Sequence, residues 1–260
     1  MATLGSKSVG TIVKLNVNKT AWNFIVVQQG RPSTTYDSSC NGTWLLMEDI
    51  YEKRKFGSNN NYESSDIHSY LNSTFINLFD NGVKRAIKEV KIPYFSGGGT
   101  GTLKTGSSGL STKVFLLSCT ETGASNTNVA TEGTTLGYFS EAGDSKRVAK
   151  YNGTATSWHT RSPMKQQTTM LCPIYTTGGV AVLGSSSNEG IRPALVLPTE
   201  TEVKDDGTIV AKGGAISGSV NIGGTMRTLN GEGYINVGGT LRPIADSQIN
   251  IGGVLKPAGG

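Results

Sequence analysis

The first part of the chain alternates apolar and polar residues, and this pattern predicts an antiparallel hairpin. Residues 11–17 (TIVKLNV) alternate throughout, and residues 21–28 (AWNFIVVQ) resume the pattern after a turn candidate at residues 18–20. Such alternation is typical of strands that bury one face. The apolar run at residues 43–50 (TWLLMEDI) predicts a further buried strand.

Short helices are predicted after these strands. Ser65 and Asp66 favour a helix start, and Ile67, Tyr70 and Leu71 then recur at helical spacing. Two further short helices are predicted, over residues 72–79 and 83–90. Beyond them, apolar runs predict short strands at residues 91–94, 112–118 and 147–151.

Glycine accounts for 35 of the 260 residues and, with Ser, Thr and Asn, separates the apolar runs. This composition indicates many loops and little helix. The expected fold class is therefore α+β, with short helices and a loop-rich antiparallel sheet. Residues 97–109 (GGGTGTLKTGSSG) form a flexible-looking loop, but Leu103 precedes Lys104 where a phosphate-binding loop needs Gly. Residues 119–146 form a long polar loop, and loops of this length are often functional or mobile.

The C-terminal part of the chain contains a short repeat. Three similar segments follow one another: residues 220–227 (VNIGGTMR), 235–242 (INVGGTLR) and 249–256 (INIGGVLK). Each has β-branched residues before a Gly-Gly turn and a cation after it, which predicts a small hairpin. Residues 202–210 predict another hairpin. Because one hairpin is marginal alone, we expect an all-β module for attachment or oligomerisation over residues 200–260, after a first domain over residues 1–199. A weakly ordered tail is the alternative.

Charge and composition restrict the class of partner. The net charge of +5 is dispersed apart from residues 53–55, so no nucleic-acid-binding face is predicted. No stretch approaches the roughly 20 apolar residues of a membrane helix, and the N-terminus lacks the apolar core of a signal peptide. We therefore expect that the protein is made in a cytoplasm and is not inserted into a membrane. Cys40, Cys119 and Cys172 show no zinc spacing and are expected to be reduced, and no metal or other cofactor is predicted.

Catalytic chemistry finds little support in the sequence. The two histidines, His68 and His159, show no spacing that indicates a nucleophilic triad. Glu121, Glu141 and Asp144 allow a calcium site in the long loop, although the regular calcium-loop spacing is absent. We therefore expect that the protein is not an enzyme.

Residues 157–198 stand out by their organisation. Two ordered ends, SWHTRSP and GIRPALVLP, flank an irregular stretch of Met, Gln, Thr, Tyr, Gly and Ser. Adaptable polar side chains around an aromatic residue are typical of recognition loops on a rigid scaffold. Arg161 and Arg192 are predicted to anchor the core, and residues 180–183 (VAVL) to form a buried strand. The predicted ligand contacts are His159, Thr160, Met164, Lys165, Gln166, Gln167, Thr168, Thr169, Leu171, Tyr175, Thr176, Thr177, Ser185, Ser186 and Ser187.

The two ends also carry a family resemblance. The pattern W-x-x-R-S-P, a spacer of about twenty-five residues and then G-I-R-P-A-L-V-L-P resembles C-type-lectin folds of the formylglycine-generating-enzyme type. Members occur as variable proteins of phage diversity-generating retroelements. The upstream segments AWNFIVVQQG, TWLLMEDIY, IHSYLNSTFINLFD, AIKEVKIPY and VFLLS carry the resemblance over residues 9–198. Relatives often read W-W-L-R-S-P, so this chain departs from the pattern at His159 and Thr160. Either these two positions are diversified or the frame is looser here.

The resemblance implies both a fold and a function. The first domain would be a C-type-lectin-like ligand-binding domain with hypervariable positions between residues 159 and 187. The catalytic cysteine pair of the enzyme relatives is not matched, so no catalysis is carried over.

The protein would be a phage receptor-binding or adhesion protein of the virion, such as a tail-fibre component, and its ligand a host surface protein or glycan. The repeats resemble tails of phage structural proteins and imply contacts with other virion proteins and a homo-oligomer. The alternative is a structural virion protein, either a head decoration or a tail component, without direct receptor binding.

Overall fold

The computed structural model describes residues 2–141 and 143–211, and six strand segments between residues 218 and 257. Within these ranges there are two α-helices, α1 (Asp66–Ser73) and α2 (Asn81–Ala86). Short 3₁₀ turns occur at Leu4–Ser6, Ser38–Cys40, Tyr62–Ser64, Phe75–Leu78, Gly98–Thr100, Gly137–Phe139 and Asp144–Arg147. No helix in the described ranges is long and apolar enough to cross a membrane.

Strands make up most of the regular structure. In chain order, the strands before residue 211 are β1 (Ala2–Thr3), β2 (Ile12–Val17), β3 (Thr20–Gln29), β4 (Thr43–Met47), β5 (Glu52–Lys55), β6 (Val90–Ile92), β7 (Tyr94–Ser96), β8 (Thr102–Lys104), β9 (Leu110–Thr112), β10 (Val114–Phe115), β11 (Lys150–Tyr151), β12 (Thr154–Ala155), β13 (Met170–Leu171), β14 (Leu183–Gly184), β15 (Asn188–Ile191), β16 (Ala194–Leu197), β17 (Glu202–Val203) and β18 (Ile209–Val210).

A five-stranded antiparallel sheet forms the centre of the fold, in the order β10-β16-β4-β3-β2. The predicted hairpin of residues 11–28 is confirmed as β2 and β3, which pair up to Val17 opposite Thr20. Every residue of β4 and β16 is buried because both faces of these central strands are covered. Trp44 of β4 packs edge-on against Phe115 and Tyr36, with ring centroids 5.3 and 5.5 Å away.

The start of α1 is confirmed, whereas two predicted helices differ from the structure. The helix predicted over residues 72–79 is a 3₁₀ turn at Phe75–Leu78, because α1 already ends at Ser73. The Ser65 hydroxyl accepts a hydrogen bond from the His68 amide at 3.1 Å and caps α1, as the sequence predicts. Helix α2 ends at Ala86, whereas the pattern predicted helix as far as residue 90. The chain leaves the helix because the Lys88 amide donates to the Val196 carbonyl at 2.9 Å, and Val90 then opens β6.

The predicted strand over residues 112–118 is divided in the structure. Strand β9 ends at Thr112 and β10 covers only Val114 and Phe115. The Asn72 side chain accounts for the break, since its Oδ1 accepts from the amides of Lys113 and Val114 at 3.0 and 3.1 Å. A side chain distant in sequence therefore satisfies the donors that a continuous strand would pair.

The hairpin predicted over residues 202–210 is confirmed as β17 and β18, and it packs into the first part of the fold. Strand β17 pairs with β1, and Val203 and Ile209 are buried in the main core. The predicted second module thus begins with a hairpin that contributes to the core of the first. The predicted domain boundary at residues 199/200 would therefore separate this hairpin from the core that it packs against.

Each repeat copy is confirmed as an antiparallel hairpin. The six strands are β19 (Gly218–Ile222), β20 (Thr225–Leu229), β21 (Tyr234–Val237), β22 (Thr240–Pro243), β23 (Gln248–Ile251) and β24 (Val254–Pro257). They pair β19 with β20, β21 with β22 and β23 with β24. The Gly-Gly pairs between the strands lie outside the described residues. The described part is therefore a mixture of few helices and many antiparallel strands in small sheets, as the α+β class requires.

Candidate functional site

A buried ion pair lies beneath the stretch that the sequence singled out. The Arg161 guanidinium donates to both carboxylate oxygens of Glu121 at 2.6 Å, and both side chains are fully buried. Its remaining contacts are the carbonyls of Pro93 at 3.1 Å and Leu116 at 2.8 Å. Burial disfavours the charge on Arg161, yet the adjacent Glu121 carboxylate raises its pKa above the usual value. The predicted anchoring role of Arg161 is confirmed.

A second buried carboxylate extends this polar network. Glu132 accepts from the Ser162 hydroxyl at 2.8 Å and from the Phe95 amide at 2.9 Å. Burial raises the pKa of Glu132 to about 7. The Tyr36 hydroxyl donates to Glu121 at 2.8 Å. The long loop of residues 119–146 is therefore tied to the frame through its two buried glutamates.

Arg192 anchors the second ordered end. It is 1% exposed, its Nε donates to the Met47 carbonyl at 2.8 Å, and its guanidinium carbon lies 5.1 Å from the centroid of a Trp158 ring. Burial lowers the pKa of Arg192 to about 10. Its predicted role as a core anchor is confirmed.

The structure divides the fifteen predicted contact residues by exposure. Eight are exposed: Lys165, Gln166, Gln167, Thr168, Thr169, Tyr175, Thr177 and Ser186. Three are half-buried: Met164, Thr176 and Ser187. Four are buried: His159, Thr160, Leu171 and Ser185.

The four buried residues have almost no exposed surface, so they are not placed to contact a ligand directly. His159 Nε2 lies 3.0 Å from the Arg54 carbonyl, and its ring centroid is 5.7 Å from that of Phe56. Burial lowers the pKa of His159 to about 4, so its ring is neutral in the core at neutral pH. The Thr160 hydroxyl donates to the Cys172 carbonyl at 2.8 Å. These residues support the surface from below.

Residues 164–169, which we call the display loop, have an anchored backbone and mostly exposed side chains. The Lys165 amide donates to the Asn128 carbonyl and the Gln166 amide to the Gly99 carbonyl, both at 2.8 Å. Asn60 holds the loop on another side. Its backbone N–H donates to the Thr168 carbonyl at 2.8 Å, and its side-chain Nδ2 donates to the Gln167 carbonyl at 2.9 Å. Three distant segments therefore fix the loop.

The glycine-rich segment at residues 97–101 receives the display loop. A Cβ at Gly99 would overlap the carbonyl oxygens of Met164 and Gln167, and one at Gly98 would overlap the Asn60 side chain. Gly98 also has φ +70°, which disfavours other residues. These glycines allow two backbones to approach closely, and this explains the composition that only loosely resembled a phosphate-binding loop.

The rest of the stretch forms a long irregular hairpin from residue 170 to residue 184. Strands β13 and β14 pair at its base, Ile174 bridges to Val180, and the Tyr175 amide donates to the Gly179 carbonyl at 2.7 Å. Tyr175 lies at the hairpin tip and is 49% exposed. The strand predicted over residues 180–183 is wrong in extent, since β14 covers only Leu183 and Gly184 and Val182 is 38% exposed. Arg147 braces the tip by donating to the Gly178 carbonyl at 2.6 Å.

The thiols and the Glu121 carboxylate, which the sequence raised as candidates for chemistry, are buried in the described part. Cys40, Cys119 and Cys172 are free and buried. No group of three metal-ligating side chains occurs in the described ranges, and Glu121, which the sequence allowed as a calcium ligand, is paired with Arg161. Asn60, one of the residues that hold the display loop, was not predicted as part of the site. It lies in an Asn-Asn-Asn run with no distinguishing pattern, so no sequence signal marked it.

Comparison with known proteins identifies a family. Residues 41–199 match the family model DUF6273, which is described as a domain of unknown function. No curated protein and no solved structure matches the chain. The matched region contains the Arg161–Glu121 ion pair, the display loop and the hairpin tip at Tyr175. Strands β1, β2 and β3 precede the matched region, and two of them, β2 and β3, belong to the central sheet. Because the match covers more than half of its length, the chain belongs to the DUF6273 family.

Proposed function

We propose that the protein is a phage receptor-binding or adhesion protein that displays a diversifiable ligand-binding surface on a C-type-lectin-like scaffold. The display loop is the observation that carries the proposal. Its backbone is held by Asn60, Gly99 and Asn128, while the side chains from Lys165 to Thr169 are exposed. A fixed backbone lets exposed side chains change without loss of the fold, and a surface for varied ligands needs that separation.

The proposed surface combines two kinds of contact. Lys165, Gln166 and Gln167 offer adaptable hydrogen bonding, and Tyr175 at the tip offers a rigid amphipathic anchor. The buried members of the stretch, such as His159 and Thr160, would form part of the frame. Diversification within residues 159–187 would then be tolerated at the exposed positions and costly at the buried ones.

The C-terminal hairpins support attachment to the virion. A two-stranded hairpin is marginally stable alone, so each of the three must pack on its neighbours, on the first domain or on another chain. We propose that other virion proteins, or further copies of this chain, supply the surface on which they pack. Localisation in the virion and binding of a host surface protein or glycan follow from this proposal.

Cell binding by surface variants tests the proposal. We expect Lys165→Ala, Gln166→Ala and Tyr175→Ala together to reduce binding of the labelled chain to host bacteria by at least about tenfold. The melting temperature should change by less than about 3 °C because these side chains are exposed. Lys19→Ala with Thr20→Ala, at the exposed end of the β2–β3 hairpin, is the matched control and should leave binding unchanged.

Undiminished cell binding by the triple variant would refute the proposed surface. A map of the assembled particle in which Tyr175 and Gln166 are buried against another subunit would support the structural virion protein instead. In the DNA next to the gene, we expect a reverse transcriptase gene and a near-copy of the codons for residues 157–192 that differs at adenines.

A further inference from the structure

A shallow groove next to the display loop suits a small uncharged ligand. Its volume is about 140 Å³. It is lined by Thr120, Gly123, Ala124, Ser125, Asn126, Val129, Thr131 and Thr135. None of these eight side chains carries a charge, and five carry a hydroxyl or an amide. None was among the contacts predicted from the sequence.

Three hydrogen bonds within residues 119–135 hold the walls of the groove in place. The Glu132 amide donates to the Thr120 hydroxyl at 3.2 Å, and the Thr135 hydroxyl donates to the Thr120 carbonyl at 3.2 Å. On the other side, the Ala124 amide donates to the Cys119 carbonyl at 3.1 Å. The groove is therefore a preformed feature of the fold, as ligand sites usually are.

The groove is continuous with the display loop. Val129 at its edge bridges to Met164, and the Lys165 ammonium donates to the Thr127 carbonyl at 3.3 Å. A ligand in the groove would lie beside the first residues of the display loop. The exposed side chains of that loop could then contact whatever extends from the groove.

We propose that this groove binds one uncharged sugar unit of a host-surface glycan. The inference deepens the proposed function and rests on it. Hydroxyl groups donate and accept at once, so Ser125, Thr131 and the Asn126 amide match the hydroxyls of a sugar ring. Ala124 and Val129 supply a small apolar wall for its CH groups.

Size and charge limit the ligand further. The volume of about 140 Å³ is small, so the groove has room for no more than one sugar ring and leaves the rest of a glycan to the display loop. No lining side chain is charged, so the lining offers a carboxylate or a phosphate no ion pair, whereas it offers hydrogen bonds to an uncharged hydroxyl. We expect weak binding of a single sugar, with Kd of about 1–10 mM, and tighter binding only when the display loop also contacts the glycan.

Titration of the isotope-labelled full chain with single sugars tests the proposal. Glucose, galactose, mannose and N-acetylglucosamine are added in turn to about 100 mM, and glucuronic acid and N-acetylneuraminic acid serve as charged probes. We expect at least one uncharged sugar to give saturable amide shifts at the groove residues. Ser125→Ala with Thr131→Val should weaken that binding by at least about tenfold, while Thr127→Val, on the same loop but outside the lining, should leave it unchanged.

Three results would overturn the proposal: no saturable shift at the groove with any uncharged sugar, shifts that persist in the double variant, or preferred binding of a charged sugar. The amide spectrum of each variant also reports whether it has folded. Sugar binding and cell binding are measured separately. Retained cell binding in the Ser125→Ala, Thr131→Val variant that has lost the sugar shifts would count against a role of the groove in adhesion, while leaving the display loop as the receptor-binding surface.

Discussion

Removal of the Arg161 side chain should be among the most destabilising single changes in the fold. In Arg161→Met, the two carbonyls and the carboxylate that the guanidinium contacts lose their donor. Glu121 would keep only the Tyr36 hydroxyl at 2.8 Å and the Ser118 amide at 2.9 Å. Breaking a buried pair in this way costs about 3–5 kcal/mol because one charge stays buried without compensation.

The size of the effect is measurable by urea denaturation followed by tryptophan fluorescence, since Trp44 and Trp158 are fully buried. We expect the free energy of unfolding to fall by about 3–5 kcal/mol and the melting temperature by about 10 °C. Glu52→Gln is the control, because Glu52 pairs with Arg54 at the surface, with side chains 32% and 38% exposed. That change should cost less than about 1 kcal/mol.

The double variant Arg161→Met, Glu121→Leu separates lost packing from an uncompensated charge. Because both charges are then absent, we expect it to be more stable than Arg161→Met alone. A cost below about 1 kcal/mol for Arg161→Met would refute the reasoning. So would a double variant less stable than the single one.

Two further predictions concern the network and the display loop. Burial raises the pKa of Glu132 from 4.5 to about 7, so its contribution to stability is present below about pH 4.5 and is lost as the pH rises through 7. The free energy of unfolding, measured by urea denaturation, should therefore fall by up to about 3 kcal/mol across that pH range, and Glu132→Gln should remove this fall. The same dependence on pH in the variant would contradict the raised pKa of Glu132. Gly99→Ala would overlap Met164 and should cost about 1–3 kcal/mol, with faster amide exchange in the display loop. Gly143→Ala, where an added Cβ meets nothing within 4 Å, is the control, and equal exchange in both variants would argue against close packing of residues 97–101 on the display loop.

The candidate site was predictable in outline and not in detail. The two ordered ends delimit the stretch, and the proline that follows within two residues of both Arg161 and Arg192 indicated their role as anchors. His159 and Thr160 were predicted at the surface, whereas both are buried. Polar residues in an irregular stretch do not reveal their burial, since burial depends on which distant carbonyls accept their hydrogen bonds.

The sequence by itself determined those features that depend only on residues close together in the chain. The β2–β3 hairpin follows from alternation and a short turn, the start of α1 from the Ser65 cap, and the repeat hairpins from their Gly-Gly pairs. Contacts over long separations were decided only by the tertiary structure. Asn72 ends a strand some forty residues away, and Asn60 holds the display loop from 107 positions earlier in the chain. Each of these side chains satisfies donors and acceptors that lie far away in the sequence. Those groups become neighbours only when the chain folds, so no local sequence pattern encodes the contacts.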